Sequence, residues 1–205
     1  MKLNASFYLG ENVVKIAEEL IGKYIFTTFK NKITVGIITE TEAYNGVIDR
    51  ASHAFGGKRT SRTEIMFMEG GVAYIYLCYG IHSLFNVVTN KEGIPHAVLI
   101  RAIYPIVGMD EISKRRAKEF TSIEKLCIGP GTVAQALGIH YKDSGENLMG
   151  KKIWIEDKGL IIPKSKIIIG PRIGVDYAGK DALLPYRFQV NHNTVKKFIE
   201  RDMQV

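Results

Sequence analysis

Residues 40–62 contain acidic, aromatic and basic side chains, a histidine and three glycines. An apolar strand pattern over residues 33–38 leads directly into this stretch. Because side chains alternate along a strand, Glu40, Glu42 and Tyr44 are predicted to share one face. Carboxylates beside an aromatic ring, followed by a Gly-rich basic loop, indicate a site for an anionic ligand that carries a flat ring. The alternative is a solvated strand edge that runs into a surface loop.

A second cluster contains three tyrosines, Tyr74, Tyr76 and Tyr79, in a predicted hairpin. Strand alternation places Tyr74 and Tyr76 on one face, and Tyr79 falls at the turn, directly before Gly80. Enzymes that act on nucleic acids insert exposed side chains into the gap left by an extruded nucleotide, and Tyr79 has the position for this. The alternative is that Tyr79 packs beneath a neighbouring loop.

The composition is that of a soluble globular protein with a basic excess. Of the 205 residues, 46% are hydrophobic and 24% are charged, and this length predicts a single domain over residues 1–205. The net charge of +7 and the pI of about 9.3 favour a polyanionic partner. Neither a signal peptide nor a run of about 18 apolar residues is found, so we expect a soluble, cytoplasmic protein with no membrane partner.

The cysteines and histidines do not predict a metal site. Cys78 and Cys127 lie in apolar surroundings without ligand-like spacing, and we expect both to be reduced residues of the core. His53 has no second histidine or cysteine at a ligand spacing.

Hydrophobic periodicity predicts more strands than helices, and tight turns join several of the strands. The fold class that follows is α+β, with a single domain built around a largely antiparallel, barrel-like sheet and a protruding β-hairpin. Helices are predicted over residues 13–20, 109–120 and 132–137 and after Asn193, and strands over residues 24–29, 33–43, 72–78, 84–89, 97–102, 153–156, 166–169 and 186–190.

Several segments resemble the alkyladenine (3-methyladenine) DNA glycosylases, in the same order over nearly the whole chain. The most specific is the Glu-Thr-Glu-Ala-Tyr block at residues 40–44 with its downstream His53. The other matching segments are residues 74–86, 98–105, 126–130, 135–137, 172–175 and 185–188.

The resemblance implies a monofunctional enzyme that acts on double-stranded DNA containing damaged purines. Such enzymes flip the damaged base out of the duplex and hydrolyse its N-glycosidic bond with water, which leaves an abasic site. The resemblance also implies a monomer without cofactors, associated with the nucleoid in a prokaryote or located in the nucleus in a eukaryote. The ranking among 3-methyladenine, 7-methylguanine, hypoxanthine and ethenoadenine stays open.

By the same resemblance, Glu42 is the general base that orients and deprotonates the attacking water. Arg101 and the backbone carbonyl of Ile173 are the other anchors of that water. The chemistry supports these roles, because breaking a glycosidic bond builds positive charge on the sugar, which a nearby carboxylate stabilises. Without the resemblance, Arg101 would be interpreted as a routine strand-end salt bridge.

The resemblance also assigns residues that bind the base. Tyr44, His53 and Tyr76 correspond to the rings that sandwich the flipped base, and stacking tolerates varied ring systems. Asn86 corresponds to a position at the pocket floor that disfavours the exocyclic amine of normal guanine.

Basic residues offer two candidate surfaces for phosphates. Lys58, Arg59 and Arg62, in the Gly-rich loop beside the site, are the better candidates for DNA contact. The denser run at residues 114–118 fits DNA contact and a solvated helix face equally well.

Two other classes of function stay open on the residues alone. A non-catalytic nucleic-acid-binding module explains the charge and the tyrosines but gives no reason for Glu42 beside Arg101. A hydrolase of free nucleosides explains that pair but needs neither an aromatic at a hairpin tip nor a basic loop. No lysine stands where an amine nucleophile would be needed, so we expect no strand-cleaving lyase activity.

Overall fold

The computed structural model describes residues 1–117 and 126–202. Its strands are β1 (Tyr24–Phe29), β2 (Lys32–Asn45), β3 (Ala73–Cys78), β4 (His82–Thr89), β5 (His96–Val107), β6 (Ile153–Glu156), β7 (Ile168–Gly170) and β8 (Arg187–Gln189). Its α-helices are α1 (Ala5–Tyr8), α2 (Val13–Glu19), α3 (Met109–Arg116), α4 (Pro130–Leu137) and α5 (His192–Asp202).

The eight strands form one antiparallel sheet in the order β3-β4-β5-β2-β1-β6, while β8 pairs with β2 and with β7. The sheet curls into a half-barrel, which confirms the predicted α+β class and the barrel-like sheet. The predicted strands agree with the observed strands to within a few residues, except that β5 extends five residues further, to Val107. Residues 118–120 of the predicted helix 109–120 lie outside the described residues.

The long strand β2 is the centre of the sheet, because it pairs with β1, β5 and β8. Its register against β5 shifts on both sides of Glu40, and such bulges bend a strand and increase its twist. Beyond the bulge, side chains alternate strictly. Thr41 donates its hydroxyl to the Ala17 carbonyl of α2 at 2.7 Å, and Ala43 joins the main core. Glu40, Glu42 and Tyr44 therefore point to the opposite face, as predicted.

The β3–β4 hairpin ends in a three-residue loop, because Cys78 pairs with His82. In this loop Tyr79 and Gly80 both adopt positive φ, 51° and 73°, a conformation that is uncommon for a residue with a side chain. Tyr79 is 92% exposed, so the alternative that it packs beneath a neighbouring loop is wrong.

Part of the basic run at residues 114–118 holds two helices together. Arg115 donates to Glu111 on its own helix and to the Ala136 carbonyl of α4, at 3.2 and 3.1 Å. Arg116 donates to Gln135 of α4. These two arginines therefore stabilise the α3–α4 contact and do not form a solvated face. Lys118 lies outside the described residues.

A buried ion pair joins two distant loops to the end of β2. Arg172 and Asp49 form a bidentate pair, and both side chains are at most 1% exposed. The Arg172 guanidinium also donates to the Ala43 carbonyl of β2 at 2.9 Å and to the Asp181 carbonyl at 3.1 Å. Removing one partner of such a pair leaves an uncompensated charge in the interior. The pair therefore fixes the segment that follows Arg172 against β2.

Within the described residues, no helix is both long enough and apolar enough to span a membrane. Cys127 is buried and Cys78 is partly buried, and neither forms a disulfide.

Asp49→Asn is expected to lower the free energy of unfolding by about 3–5 kcal/mol, because Arg172 keeps its charge without a counter-ion. Urea denaturation measures this change. Glu11→Gln is the matched control, because it removes a carboxylate from an exposed pair with Lys91, whose side chains are 79% and 70% exposed. The control is expected to change stability by about 0.5 kcal/mol or less. Equal small effects from both substitutions would contradict the importance of the buried pair.

Candidate active site

Glu42 on β2 is a carboxylate with a fully buried side chain and three donors. Its Oε1 accepts from the Ile173 backbone N–H at 2.8 Å. Its Oε2 accepts from the Tyr44 hydroxyl at 2.9 Å and from Arg101 Nη1 at 3.4 Å. Three separate segments therefore fix both oxygens of one carboxylate.

Arg101 lies between two carboxylates on the cavity side of the sheet. It comes from β5, the neighbour of β2, and its Nε donates to Glu40 Oε1 at 3.2 Å while its Nη1 reaches Glu42. Arg187 of β8 donates to the same oxygen of Glu40 at 3.0 Å. The two arginines and two glutamates form one network in which charges alternate in sign. Arg101 is therefore part of the candidate site and not an isolated salt bridge.

The environment of Glu42 raises the pKa of its carboxyl group above the ordinary value. Burial is the largest cause, because it disfavours the charged form. The Arg101 guanidinium, the Ile173 N–H and the Tyr44 hydroxyl oppose this rise, since each stabilises the carboxylate. A carboxylate of raised pKa is a stronger base, which suits general-base chemistry.

A cavity of about 430 Å³ opens beside this network. Its lining includes Arg101, Tyr44 and Ile173, the same three residues that contact Glu42. The cavity has room for a purine base, and three of its lining residues bind the Glu42 carboxylate.

Aromatic rings form the walls of the cavity. The His53 and Tyr76 rings meet edge to face with centroids 4.6 Å apart, and Tyr74 and Tyr76 lie 5.5 Å apart. Tyr44 also lines the cavity, and within the described part of the chain it forms no ring contact with His53 or Tyr76. The structure thus places all three predicted sandwich residues around one open space.

His53 is a neutral ring with a defined tautomer. Its Nε2 lies 3.4 Å from an Arg62 nitrogen, which can only donate, and its Nδ1 lies 2.9 Å from the Tyr74 hydroxyl. The proton therefore belongs on Nδ1. Burial, together with the charges of Arg62 and Lys58, lowers the pKa of His53 to about 4. At neutral pH His53 offers a flat, uncharged surface.

Asn86 is a buried, fixed amide in the cavity wall. Its Nδ2 donates to the backbone carbonyls of Tyr74 and Leu84 at 3.1 and 3.3 Å. Both amide protons are occupied, so the side chain cannot rotate to receive a ligand without losing these bonds.

The mouth of the cavity carries two exposed tyrosines, Tyr79 and Tyr177. Sequence reasoning found the first and missed the second. Tyr177 is 71% exposed, and its hydroxyl donates to the Ala51 carbonyl at 3.2 Å. Its position in an irregular segment gave no pattern that could have indicated a place at the cavity.

The three cations of the Gly-rich loop have different surroundings. Lys58 is exposed, whereas Arg59 pairs with Glu64 at 3.4 Å and lies over the Phe67 ring. Arg62 lies over the Tyr76 ring, 4.8 Å from its centroid, and lines the cavity. DNA contact by these cations stays a prediction.

Ile173 contacts the site through a different backbone group from the one expected. Its N–H binds Glu42, while a role of its carbonyl in anchoring water stays a prediction. The Arg172–Asp49 pair, which sequence reasoning missed, fixes the residue before Ile173. The segment at residues 172–175 was matched by resemblance, but its pairing with Asp49 spans 123 positions and has no local pattern. Among the described residues no cluster of metal-ligating side chains is found.

The chain matches known proteins over most of its length. A family model described as "Methylpurine-DNA glycosylase" matches residues 6–194. A protein named "Putative 3-methyladenine DNA glycosylase" from Chlamydia felis is 44% identical over 95% of this chain and 99% of its own length. A protein of the same name from Clostridium perfringens strain 13 is 38% identical over 98% of this chain and 100% of its own length. A protein of the same name from Bacillus cereus strain ATCC 14579 is 40% identical over 92% of this chain and 95% of its own. The chain belongs to the methylpurine-DNA glycosylase family.

Proposed function

We propose that this protein excises alkylated or deaminated purines from duplex DNA by hydrolysis of the N-glycosidic bond, and leaves an abasic site. The candidate substrates are 3-methyladenine, 7-methylguanine, hypoxanthine and ethenoadenine. The observation that carries the proposal is the buried Glu42 carboxylate, bound by Arg101 and the Ile173 N–H, two residues that line an aromatic cavity.

In the proposed reaction, water attacks C1′ of the sugar while the C1′–N bond to the base breaks. The electron pair of that bond leaves with the base, and Glu42 accepts the proton that the water loses. Arg101 and the carbonyl of Ile173 orient the water. The negative charge of Glu42 also stabilises the positive charge that develops on the sugar. Burial raises the pKa of this carboxyl group, which strengthens it as a base, and Arg101 opposes that rise, which favours the charged form that stabilises the sugar.

The cavity walls select flat, damaged bases in this proposal. Tyr44 stacks on one side of the flipped base, and His53 and Tyr76 contact the other side. Because both amide protons of Asn86 are already bound to backbone carbonyls, its exclusion of the guanine exocyclic amine is steric.

The rim of the cavity supports a DNA substrate over a free nucleoside. Tyr79 is exposed and lines the cavity, and we infer that it fills the gap left by the flipped nucleotide. Lys58, Arg59 and Arg62 lie in the loop beside the cavity. The net charge of +7 favours binding to a polyanion. We infer that the protein acts as a monomer on chromosomal DNA, without a cofactor.

Glu42→Gln is expected to reduce base release from a duplex with a single hypoxanthine. Loss of the general base alone costs about 10²–10⁴-fold, and loss of the charge that stabilises the sugar adds to this. Single-turnover rates measure this effect, and binding to abasic-site DNA should stay close to wild type. Glu11→Gln, which removes a surface carboxylate, is the control. Near-normal excision by the Glu42 variant would remove Glu42 from the mechanism. Equal activity on free inosine would favour a nucleoside hydrolase.

Tyr79→Ser is expected to shift the flipping equilibrium about 5- to 150-fold towards the stacked duplex, because a stacking partner worth roughly 1–3 kcal/mol is lost. The fluorescence of an ethenoadenine-containing duplex reports flipping. The melting temperature should barely change, since the side chain is 92% exposed. Ile81→Ser removes a non-aromatic side chain from the same hairpin tip and is the matched control. Identical flipping by both variants would contradict the wedge role.

A further inference from the structure

Arg62 differs from the other cations around the cavity because it contacts the aromatic wall itself. Its guanidinium lies 4.8 Å from the Tyr76 ring centroid, and one of its nitrogens lies 3.4 Å from His53 Nε2. Its positive charge also acts on Tyr74, where it lowers the pKa of the hydroxyl against the larger raising effect of burial. The contacts with Tyr76 and His53 hold the charge at the aromatic wall of the cavity.

The other charged groups of the cavity are compensated. Arg101 pairs with Glu40 and Glu42, and Arg172 pairs with Asp49. His53 is neutral at neutral pH because its pKa is lowered to about 4. In the part of the chain that the structure describes, Arg62 forms no ion pair, since its contacts are to His53 and to the Tyr76 ring. Arg62 therefore gives the aromatic wall an uncompensated positive charge.

The candidate substrates fall into two charge classes, and this charge acts differently on each. In the nucleotide, 7-methylguanine and 3-methyladenine carry a positive charge, whereas hypoxanthine and ethenoadenine are neutral. When the C1′–N bond breaks, a cationic base takes the electron pair and leaves neutral. A neutral base leaves as an anion until it gains a proton. The base gains one electron pair in both classes, so a neighbouring cation favours bond breaking in both. At every stage, however, a base of the first class carries one more positive charge than a base of the second. Compared with the base stacked in the duplex, a fixed cation beside the flipped base therefore disfavours the flipped state and the transition state of the first class relative to the second.

We propose that Arg62 is a specificity-determining residue that biases excision towards neutral damaged purines and against cationic alkylated ones. This inference rests on the proposed function and deepens it. Because Arg62 is exposed in the free protein, solvent screens its charge there. Bound DNA would cover the cavity mouth and reduce that screening.

The test compares excision of 7-methylguanine and of hypoxanthine from otherwise identical duplexes under single-turnover conditions. The enzyme concentration stays below the level that saturates the rate, so that binding and flipping contribute, and the pH is slightly acidic, where 7-methylguanine keeps its N1 proton. Arg62→Gln removes the charge and keeps a hydrogen-bond donor, whereas Arg62→Lys keeps the charge and removes the planar fork. Lys58→Gln removes a cation of the same loop that is not among the residues lining the cavity. The readout is the ratio of the 7-methylguanine rate to the hypoxanthine rate.

Arg62→Gln is expected to raise this ratio about 3- to 10-fold, the size of effect that a partly screened charge produces. Arg62→Lys and Lys58→Gln should leave the ratio close to wild type. An unchanged ratio in Arg62→Gln, or an equal change in Arg62→Lys, would overturn the inference. Both outcomes differ from failure of the proposed function, in which the wild-type protein would release neither base.

Discussion

The contact between the Glu42 carboxylate and the Arg101 guanidinium is the interaction on which the rest of the site depends. A carboxylate with no exposed surface is unstable as an anion unless a counter-charge and hydrogen-bond donors replace the lost water. The pairing of β2 with β5 supplies Arg101, and a loop more than a hundred residues downstream supplies the Ile173 N–H. The fold must therefore position β2, β5 and the loop at Ile173 together before the buried Glu42 side chain can carry a charge.

Other features of the structure meet that requirement. Alternation along β2 directs Thr41 and Ala43 to the core and Glu40 and Glu42 to the opposite face, where both contact Arg101. The buried Arg172–Asp49 pair fixes the chain directly before Ile173. Because Arg101 also contacts Glu40, which Arg187 binds in turn, neither arginine leaves an unpaired charge in this network. Electrostatic compensation is thus a property of the whole group of residues and not of one pair.

The sequence predicted features that depend on local periodicity. It predicted most strands closely, the shared face of Glu42 and Tyr44, and an aromatic residue at a hairpin turn, because alternation and turn chemistry act over a few residues. It did not predict the Arg172–Asp49 pair, the place of Tyr177 at the cavity, or the contact of Arg62 with Tyr76. Each of these contacts joins two different segments of the chain, and its geometry depends on how the curled sheet arranges its loops.

The most direct test of how Arg101 controls Glu42 is the pKa of the Glu42 carboxyl group, obtained by NMR titration of protein labelled with ¹³C at glutamate carboxyls. The Glu42→Gln variant identifies the signal. We expect a pKa above the ordinary value of 4.5, because burial outweighs the donors. We expect a further increase in Arg101→Gln, because the guanidinium stabilises the anion. A pKa at or below the ordinary value, or one that Arg101→Gln leaves unchanged, would contradict the claim that Arg101 controls the charge of a buried base.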